Sequence, residues 1–338
     1  MTEPLARRFE RYRPLIVDEM RAVVGEDSTR LSAWLRYHLG WEDADGKALG
    51  DSSGKLLRPS ALLLAAELMG GAIEEAVPAA AAVELVHNFS LLHDDVEDAS
   101  ERRHGRPAVW TFAGVPQAIN AGDGMYTLAR LAMHRLLEAG VEERRTLESM
   151  RELDEACLRL VEGQYLDISF EDRNDVTRAE YLAMTAGKTA AMFSAPFAMG
   201  ALLGGASGDL VTAFREFGYH VGLAFQAMDD ILGIWGEPEV TGKPVGDDLR
   251  SRKMTYPVIA AMASSAVGAA LVEAYADSAS TVEALRTLVE EGDGRTHTEH
   301  FMMSAVESAL EALHAAALAP EAEAVCADFA HLATARVR

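Results

Sequence analysis

Lysine is scarce in this chain. It occurs five times among 338 residues, at Lys47, Lys55, Lys188, Lys243 and Lys253, and arginine carries the rest of the positive charge. With 31 basic against 53 acidic residues, the formal net charge is −22. A chain this acidic, with no sustained basic stripe, is not built to hold nucleic acid and has no electrostatic grip on anionic lipid. Cysteine is sparser still. Cys157 and Cys326 cannot make a disulfide framework, and neither has a metal-ligating neighbour in sequence. Long hydrophobic runs are also missing: the most apolar stretches, 61–66 and 77–86, are interrupted by Glu67 and Glu84, far short of a membrane span. The first ten residues are charged and contain no apolar signal region, so the expected location is the cytoplasm. Aromatics make up only 7% of the chain, yet 49% of it is hydrophobic. That combination suits a sizeable core of closely packed helices.

Apolar residues recur at intervals of three and four along the whole length, and no sustained alternation predicts a strand. Clusters of Gly, Pro and Asp punctuate this pattern near 40–53, 70–71, 114–116, 172–177, 204–209, 236–248 and 291–298. No Pro/Ser-rich linker, low-complexity tract or short repeat divides the chain. The reading is one all-α domain over 1–338 with roughly ten or more helices.

Two acidic clusters stand out: Asp94-Asp95-Val96-Glu97-Asp98 and Asp229-Asp230-Ile231-Leu232-Gly233. Each follows a long apolar helical run and falls near that helix's C-terminal end, where the helix dipole already places negative charge. Asp94 and Asp98, four residues apart, share a helix face. Carboxylates gathered at such a place call for a cation, and hard oxygen donors without cysteine favour Mg²⁺. Because Mg²⁺ held by few carboxylates completes its shell with water and substrate phosphates, the clusters suggest a diphosphate site. Lys55, Lys188, Lys243 and Lys253 all have small or loop-like neighbours that would let a phosphate approach. Taken singly, each reads as a surface lysine.

Together these segments resemble the trans-isoprenyl diphosphate synthases, the polyprenyl synthetase family. The resemblance rests on Gly54-Lys55-x-x-Arg58-Pro59, on Glu84-Leu85-Val86-His87 leading into Leu92-His93-Asp94-Asp95-x-x-Asp98, and on Arg102-Arg103-His104-Gly105-Arg106-Pro107. It continues through Gly163-Gln164-x-x-Asp167, Lys188-Thr189, Phe225-Gln226-x-x-Asp229-Asp230, Gly242-Lys243-Pro244, Asp248 and Lys253. The motifs run from Gly54 to Pro257 in the family's order and spacing. The resemblance implies an isoprenoid synthase-type helical bundle around a deep central cavity, in a homodimer. It also implies Mg²⁺-dependent condensation of isopentenyl diphosphate with an allylic prenyl diphosphate, using three Mg²⁺ per active site. By resemblance, Asp94, Asp98 and Asp229 ligate metal, with Asp95 and Asp230 in support. Arg103, Lys188, Lys243 and Lys253 hold the allylic diphosphate; Lys55, Arg58, His87 and His104 hold isopentenyl diphosphate. Lys188, Thr189 and Gln226 border the reacting centre, where the dipoles of Thr189 and Gln226 stabilise the cation.

Two positions depart from the family pattern. His104 stands where an arginine is usual, and it carries less charge at neutral pH, so Arg102 or Arg106 is expected to supply the difference. Gly233 stands where the second motif usually has its last aspartate. One reading of this segment is similar to class I terpene cyclases: Gly233 leaves room for a water ligand, and Glu237 ligates metal one turn further on. The other is that Glu237 merely begins a loop before Pro238. Chain elongation is favoured because Lys55, Arg58 and His87 equip a second diphosphate site that a cyclase would not need. A non-catalytic partner subunit is the third class, and the intact first acidic motif speaks against it. In this family the residues before the first motif form the cavity floor. Here these are Phe89 and Ser90, five and four residues before Asp94, with no insertion inside the motif. An aromatic floor without a second aromatic beside it resembles short-chain synthases, C20 ahead of C15.

Overall fold

The computed structural model describes residues 3–27, 29–49, 54–171, 173–238 and 244–335. The chain is all-α. Its helices are α1 (Leu5–Val24), α2 (Arg30–His38), α3 (Leu57–Leu68), α4 (Ile73–Glu97), α5 (Val109–Ala113), α6 (Val115–Glu138), α7 (Glu143–Phe170), α8 (Arg178–Thr185), α9 (Ala191–Leu203) and α10 (Gly208–Trp235). They continue as α11 (Asp247–Arg250), α12 (Tyr256–Met262), α13 (Gly268–Ala276), α14 (Val282–Glu291), α15 (Gly294–Ala315) and α16 (Pro320–Thr334). A π-turn, Ala186–Ala190, joins α8 to α9. Among the described residues, no helix is long and apolar enough to cross a membrane.

The only sheet among them is a two-residue antiparallel ladder, β1 (Arg102–Arg103) with β2 (Arg106–Pro107). Periodicity could not announce so short a pairing. The break expected over 291–298 is also shorter than the sequence suggests. Asp293 adopts a left-handed conformation, φ 57°, and α15 restarts at once, with the Thr298 hydroxyl donating to the Gly294 carbonyl inside it.

The chain divides into two compact units, Met1–Glu155 with Ala195–Phe214, and Ala156–Ser194 with Arg215–Arg338. In the first unit α4 is the central helix. It packs against α1, α3 and α6, and its segment from Ala79 to Val86 is buried on every side, as expected of a helix with no polar stripe. Small residues allow close approach here. A Cβ on Gly200 would lie 2.1 Å from the Leu62 carbonyl oxygen of α3, so only glycine permits that contact. In the second unit α12 packs among α8, α13, α14 and α15. Its core includes Tyr181, Ile234, Leu249, Tyr256, Val258, Leu271, Leu285 and Val289.

Candidate active site

The first acidic cluster closes α4. Asp98 is its C-cap, and Ala99 follows at φ 49°. Ala99 N–H donates to the Val96 carbonyl (3.3 Å) and Ser100 N–H to the Asp95 carbonyl (2.9 Å). This is a Schellman ending with alanine where glycine is usual, at a steric cost of about 1–2 kcal/mol. It halts the helix at the cluster. Asp94 is half-buried and Asp98 exposed, whereas Asp95 is buried. The chain then turns back through the β1–β2 hairpin. His104 and Gly105, at φ 50° and 75°, fill the two turn positions that need positive φ, and histidine is among the residues that tolerate it. The hairpin returns Arg103 onto Asp95, with Nε 2.9 Å and Nη2 2.7 Å from Oδ1. Burial raises the Asp95 pKa, against the pull of Arg103. The other oxygen, Oδ2, is buried without a hydrogen-bond partner.

The neighbouring cations have separate tasks. Arg106 Nη1 donates to the Tyr37 carbonyl (2.8 Å) and Nη2 to the His38 carbonyl (3.3 Å), so its fork binds the C-terminal end of α2. That corrects the expectation that Arg106 covers for His104. Arg102 is exposed, with Nη2 on the Gly105 carbonyl. Partial desolvation, then Arg103 and Arg106, lower the His104 pKa, while Asp95 pulls the other way.

Lys55 is exposed just before α3, and Leu56, its N-cap, is left-handed at φ 50°. Arg58, in the first turn, places Nη1 3.4 Å from His87 Nε2. Burial and then Arg58 press the His87 pKa well below its ordinary value. The ring is therefore neutral, Nε2 accepts from the guanidinium, and its proton sits on Nδ1. Sequence reasoning quoted Glu84, one turn before His87, but gave it no role. Its buried carboxyl takes a hydrogen bond from Asn88 Nδ2 (3.1 Å). Burial pushes its pKa up to about 7, against Arg58 and Asn88. The signal was available: one acid in the otherwise apolar run from Ala76 to Val86.

Phe89 is buried, and Ser90 Oγ donates to the His87 carbonyl (2.8 Å). Phe89 does have a second aromatic beside it. Tyr126 of α6 meets it edge-on, with centroids 5.2 Å apart. The partner comes from another helix, which a reading of α4 alone cannot supply.

The second unit assembles the remaining residues. The π-turn carries Lys188 and Thr189, a distortion frequent at functional sites. A Cβ on Gly163 would lie 2.1 Å from the Lys188 backbone nitrogen. Glycine there lets α7 touch the π-turn, and Lys188 Nζ reaches Asp167 Oδ2 at 2.5 Å. Burial raises the Asp167 pKa, but Lys253 and Lys188 outweigh it and leave the pKa lowered. Thr189 Oγ1 is 2.6 Å from Gln226 Oε1, and Gln226 Nε2 is 2.9 Å from Asp230 Oδ1. Asp230 Oδ2 accepts from Tyr181 O–H (2.6 Å) and Tyr256 N–H (2.8 Å). Burial pushes the Asp230 pKa up to about 6, opposed by these donors and by Lys253. Asp167, Tyr181, Lys188, Gln226, Asp230 and Lys253 line one small pocket with Met184, Met254 and Thr255. Asp229, next to the buried Asp230, is half-buried.

Gly233 explains itself in this unit. A Cβ there would lie 1.9 Å from Asp248 Oδ2 and 2.5 Å from its Cγ. The space that a side chain would take is filled by the Asp248 carboxylate from α11. The room expected for a water ligand is occupied, and a carboxylate returns to the face that lost one. α10 ends at Trp235, and Glu237 lies beyond it, so an i+8 position on the same helix does not exist. Pro238 gives the reason, since the residue before proline is disfavoured in α conformation. Lys243 lies outside the described residues.

The donor set suits Mg²⁺. It consists of carboxylates, and Asp94, Asp98 and Asp229 keep exposed surface. Among the described residues, no three acidic, histidine or cysteine side chains could enclose an ion by themselves.

The family model for polyprenyl synthetase matches residues 46–292. A geranylgeranyl diphosphate synthase of Mycobacterium tuberculosis is 42% identical over 296 residues, covering 86% of this chain and 83% of that one. A (2E,6E)-farnesyl diphosphate synthase of Mycobacterium bovis is 44% identical over 244 residues, covering 72% and 67%. Among solved structures, a polyprenyl synthetase from Streptomyces coelicolor A3(2) superposes with a TM-score of 0.90 at 38% identity, covering 97% of this chain and 99% of that one.

Proposed function

The chain belongs to the polyprenyl synthetase family, and from that premise we propose that it condenses isopentenyl diphosphate with an allylic diphosphate to give a short all-trans prenyl diphosphate, C20 first and C15 next. That order no longer rests on a lone aromatic floor but is supported by the wider coverage of the geranylgeranyl diphosphate synthase match. The observation that carries elongation over cyclisation is the Arg58–His87 contact beside Lys55, a prepared anion site that a one-substrate cyclase has no use for.

Each acidic cluster pairs a half-buried aspartate with a buried one held inside its own unit: Asp94 with Asp95, and Asp229 with Asp230. In our reading the first of each pair, with Asp98, faces Mg²⁺. Asp248 takes the place that Gly233 leaves vacant. We assign three Mg²⁺ per site, which supply charge neutralisation of the leaving diphosphate. Arg103, Lys188, Lys243 and Lys253 hold that diphosphate, while Lys55, Arg58, neutral His87 and the His104 turn hold isopentenyl diphosphate. Thr189 and Gln226 present fixed dipoles to the allylic cation, where preorganised groups cost no reorganisation. The double bond of isopentenyl diphosphate attacks that cation, and a proton then leaves to the departing diphosphate. A homodimer is part of the proposal. Leu158, Val161, Tyr165 and Ile168 form an exposed stripe at helical spacing on α7, the kind of apolar surface that marks an interface.

The test supplies dimethylallyl, geranyl and farnesyl diphosphates with and without isopentenyl diphosphate. Longer diphosphates that require isopentenyl diphosphate support the proposal. Hydrocarbons formed without it would establish a cyclase, and no product from any primer would point to a partner subunit.

A further inference from the structure

Asp230 does more in this structure than stand behind Asp229. Its Oδ2 accepts from two donors, the Tyr181 hydroxyl (2.6 Å) and the Tyr256 backbone N–H (2.8 Å). A backbone N–H can only donate, so this oxygen position must hold an acceptor. The other oxygen, Oδ1, faces Gln226 at 2.9 Å. A carboxylate there also accepts, so Gln226 must turn its NH₂ to Asp230 and its carbonyl to Thr189. A carbonyl oxygen only accepts, so Thr189, 2.6 Å away, spends its hydroxyl hydrogen on Gln226. What Thr189 has left for the rest of its surroundings is lone pairs.

We propose that Asp230 is a positioning residue: it fixes the direction of the Thr189–Gln226–Asp230 relay, so that Thr189 turns oxygen lone pairs, not a hydrogen, toward the developing allylic cation. The proposal rests on the reading above that Thr189 borders the reacting centre. Tyr181 belongs to the same device. It is fully buried, and together with Tyr256 it pins the end of the carboxylate that Gln226 does not use. The direction matters because a hydroxyl hydrogen aimed at a cation opposes its formation, whereas the oxygen favours it.

The relay can be reversed on paper. In Asp230→Asn, Tyr256 N–H still demands an acceptor, so the new amide keeps its oxygen there and places its NH₂ where Oδ1 was. Gln226 must then flip, presenting its carbonyl to that NH₂ and its own NH₂ to Thr189. Thr189 becomes the acceptor, and its hydrogen is free to swing toward the cation. Adding Gln226→Glu restores the original sense. The new carboxylate accepts from the amide at one end and from Thr189 at the other, and the total charge equals that of the wild type.

The experiment measures kcat, both KM values and the melting temperature for Thr189→Val, Asp230→Asn, Gln226→Glu and the Asp230→Asn/Gln226→Glu double variant. Asp230→Asn should lose about 100-fold in kcat, the scale of a misplaced electrostatic group in an active site, with both KM values held within about threefold. The double variant should regain at least about tenfold over either single variant. If Asp230→Asn does not fold alone, the rescue is read from the other side, as the double variant exceeding Gln226→Glu. A double variant no faster than the slower single one overturns the proposal, as does an Asp230→Asn loss confined to KM or melting temperature. Thr189→Val with unchanged kcat overturns the placement of Thr189 at the centre, a failure distinct from that of the relay.

Discussion

Alanine at position 233 tests whether Asp248 stands in for the missing carboxylate of the second motif. The added Cβ would lie 1.9 Å from Asp248 Oδ2, where ordinary contact needs roughly 3.5 Å. The carboxylate must therefore retreat by about 1.5 Å. Because the clash is with the end of a side chain, the fold can yield at the price of an off-rotamer Asp248, about 0.5–1.5 kcal/mol. Melting should hardly change. Function should, because a charged interaction of this kind is worth about 1.5–3 kcal/mol, or roughly 10–100-fold at 1.4 kcal/mol per decade. Gly233→Ala should raise the Mg²⁺ concentration for half-maximal activity, or lower kcat, by that factor. Asp248→Asn should do the same, and the two together should cost little more than either alone, since both remove one carboxylate from one place. Gly233→Asp evicts Asp248 but brings its own carboxylate, so it should fall between wild type and Gly233→Ala. The assay is a Mg²⁺ titration of isopentenyl diphosphate incorporation beside a thermal melt. A Gly233→Ala enzyme with an unshifted titration and full turnover would refute the reasoning and leave Asp248 a bystander.

The helical class and the order of the motifs were legible because both live in local spacing. The acidic runs that close α4 and extend into α10 are single-helix features, and so is the Lys188-Thr189 pair. What was not legible depends on contacts between elements. Gly233 reads as a loss until α11 is seen to lay Asp248 over it. Phe89 reads as a lone aromatic until α6 brings Tyr126 to it. Arg106 reads as a spare phosphate ligand until its fork is found on the C-terminal carbonyls of α2. The turn at His104 needs positive φ at two successive residues, and His-Gly can supply that, but only a pairing of strands two residues long reveals it. In each case the sequence names the residue and the fold supplies the partner.

Chelating Mg²⁺ should abolish turnover, and Asp94→Ala should lower kcat by several orders of magnitude; near-normal activity of that variant would remove the first cluster from the mechanism. On the proposed reading that Phe89 forms the cavity floor, Phe89→Ala and Tyr126→Ala, its edge-on partner, should each lengthen the product by at least one isoprene unit. An unaltered product with stability lowered by about 3–5 kcal/mol would make Phe89 a packing residue only. The last prediction concerns Glu84 and pH. Its pKa is about 7 in the folded chain against 4.5 ordinarily, chiefly from burial. A carboxyl raised on folding favours the native state while protonated in both states, below about pH 4.5, and that advantage is lost as pH rises through about 7. Above that value the buried charge weighs on the fold by up to about 3 kcal/mol. Glu84→Gln keeps the shape and the Asn88 partner but cannot ionise. It should therefore be more stable than wild type at pH 8, and the difference should shrink to under about 1 kcal/mol at pH 5. Urea melts of both proteins at the two pH values decide the matter. Asp230, whose pKa burial also raises, titrates in both proteins and cancels from the difference. A gap of equal size at both pH values would mean that folding leaves the Glu84 pKa unshifted, the burial being offset by Arg58 and Asn88.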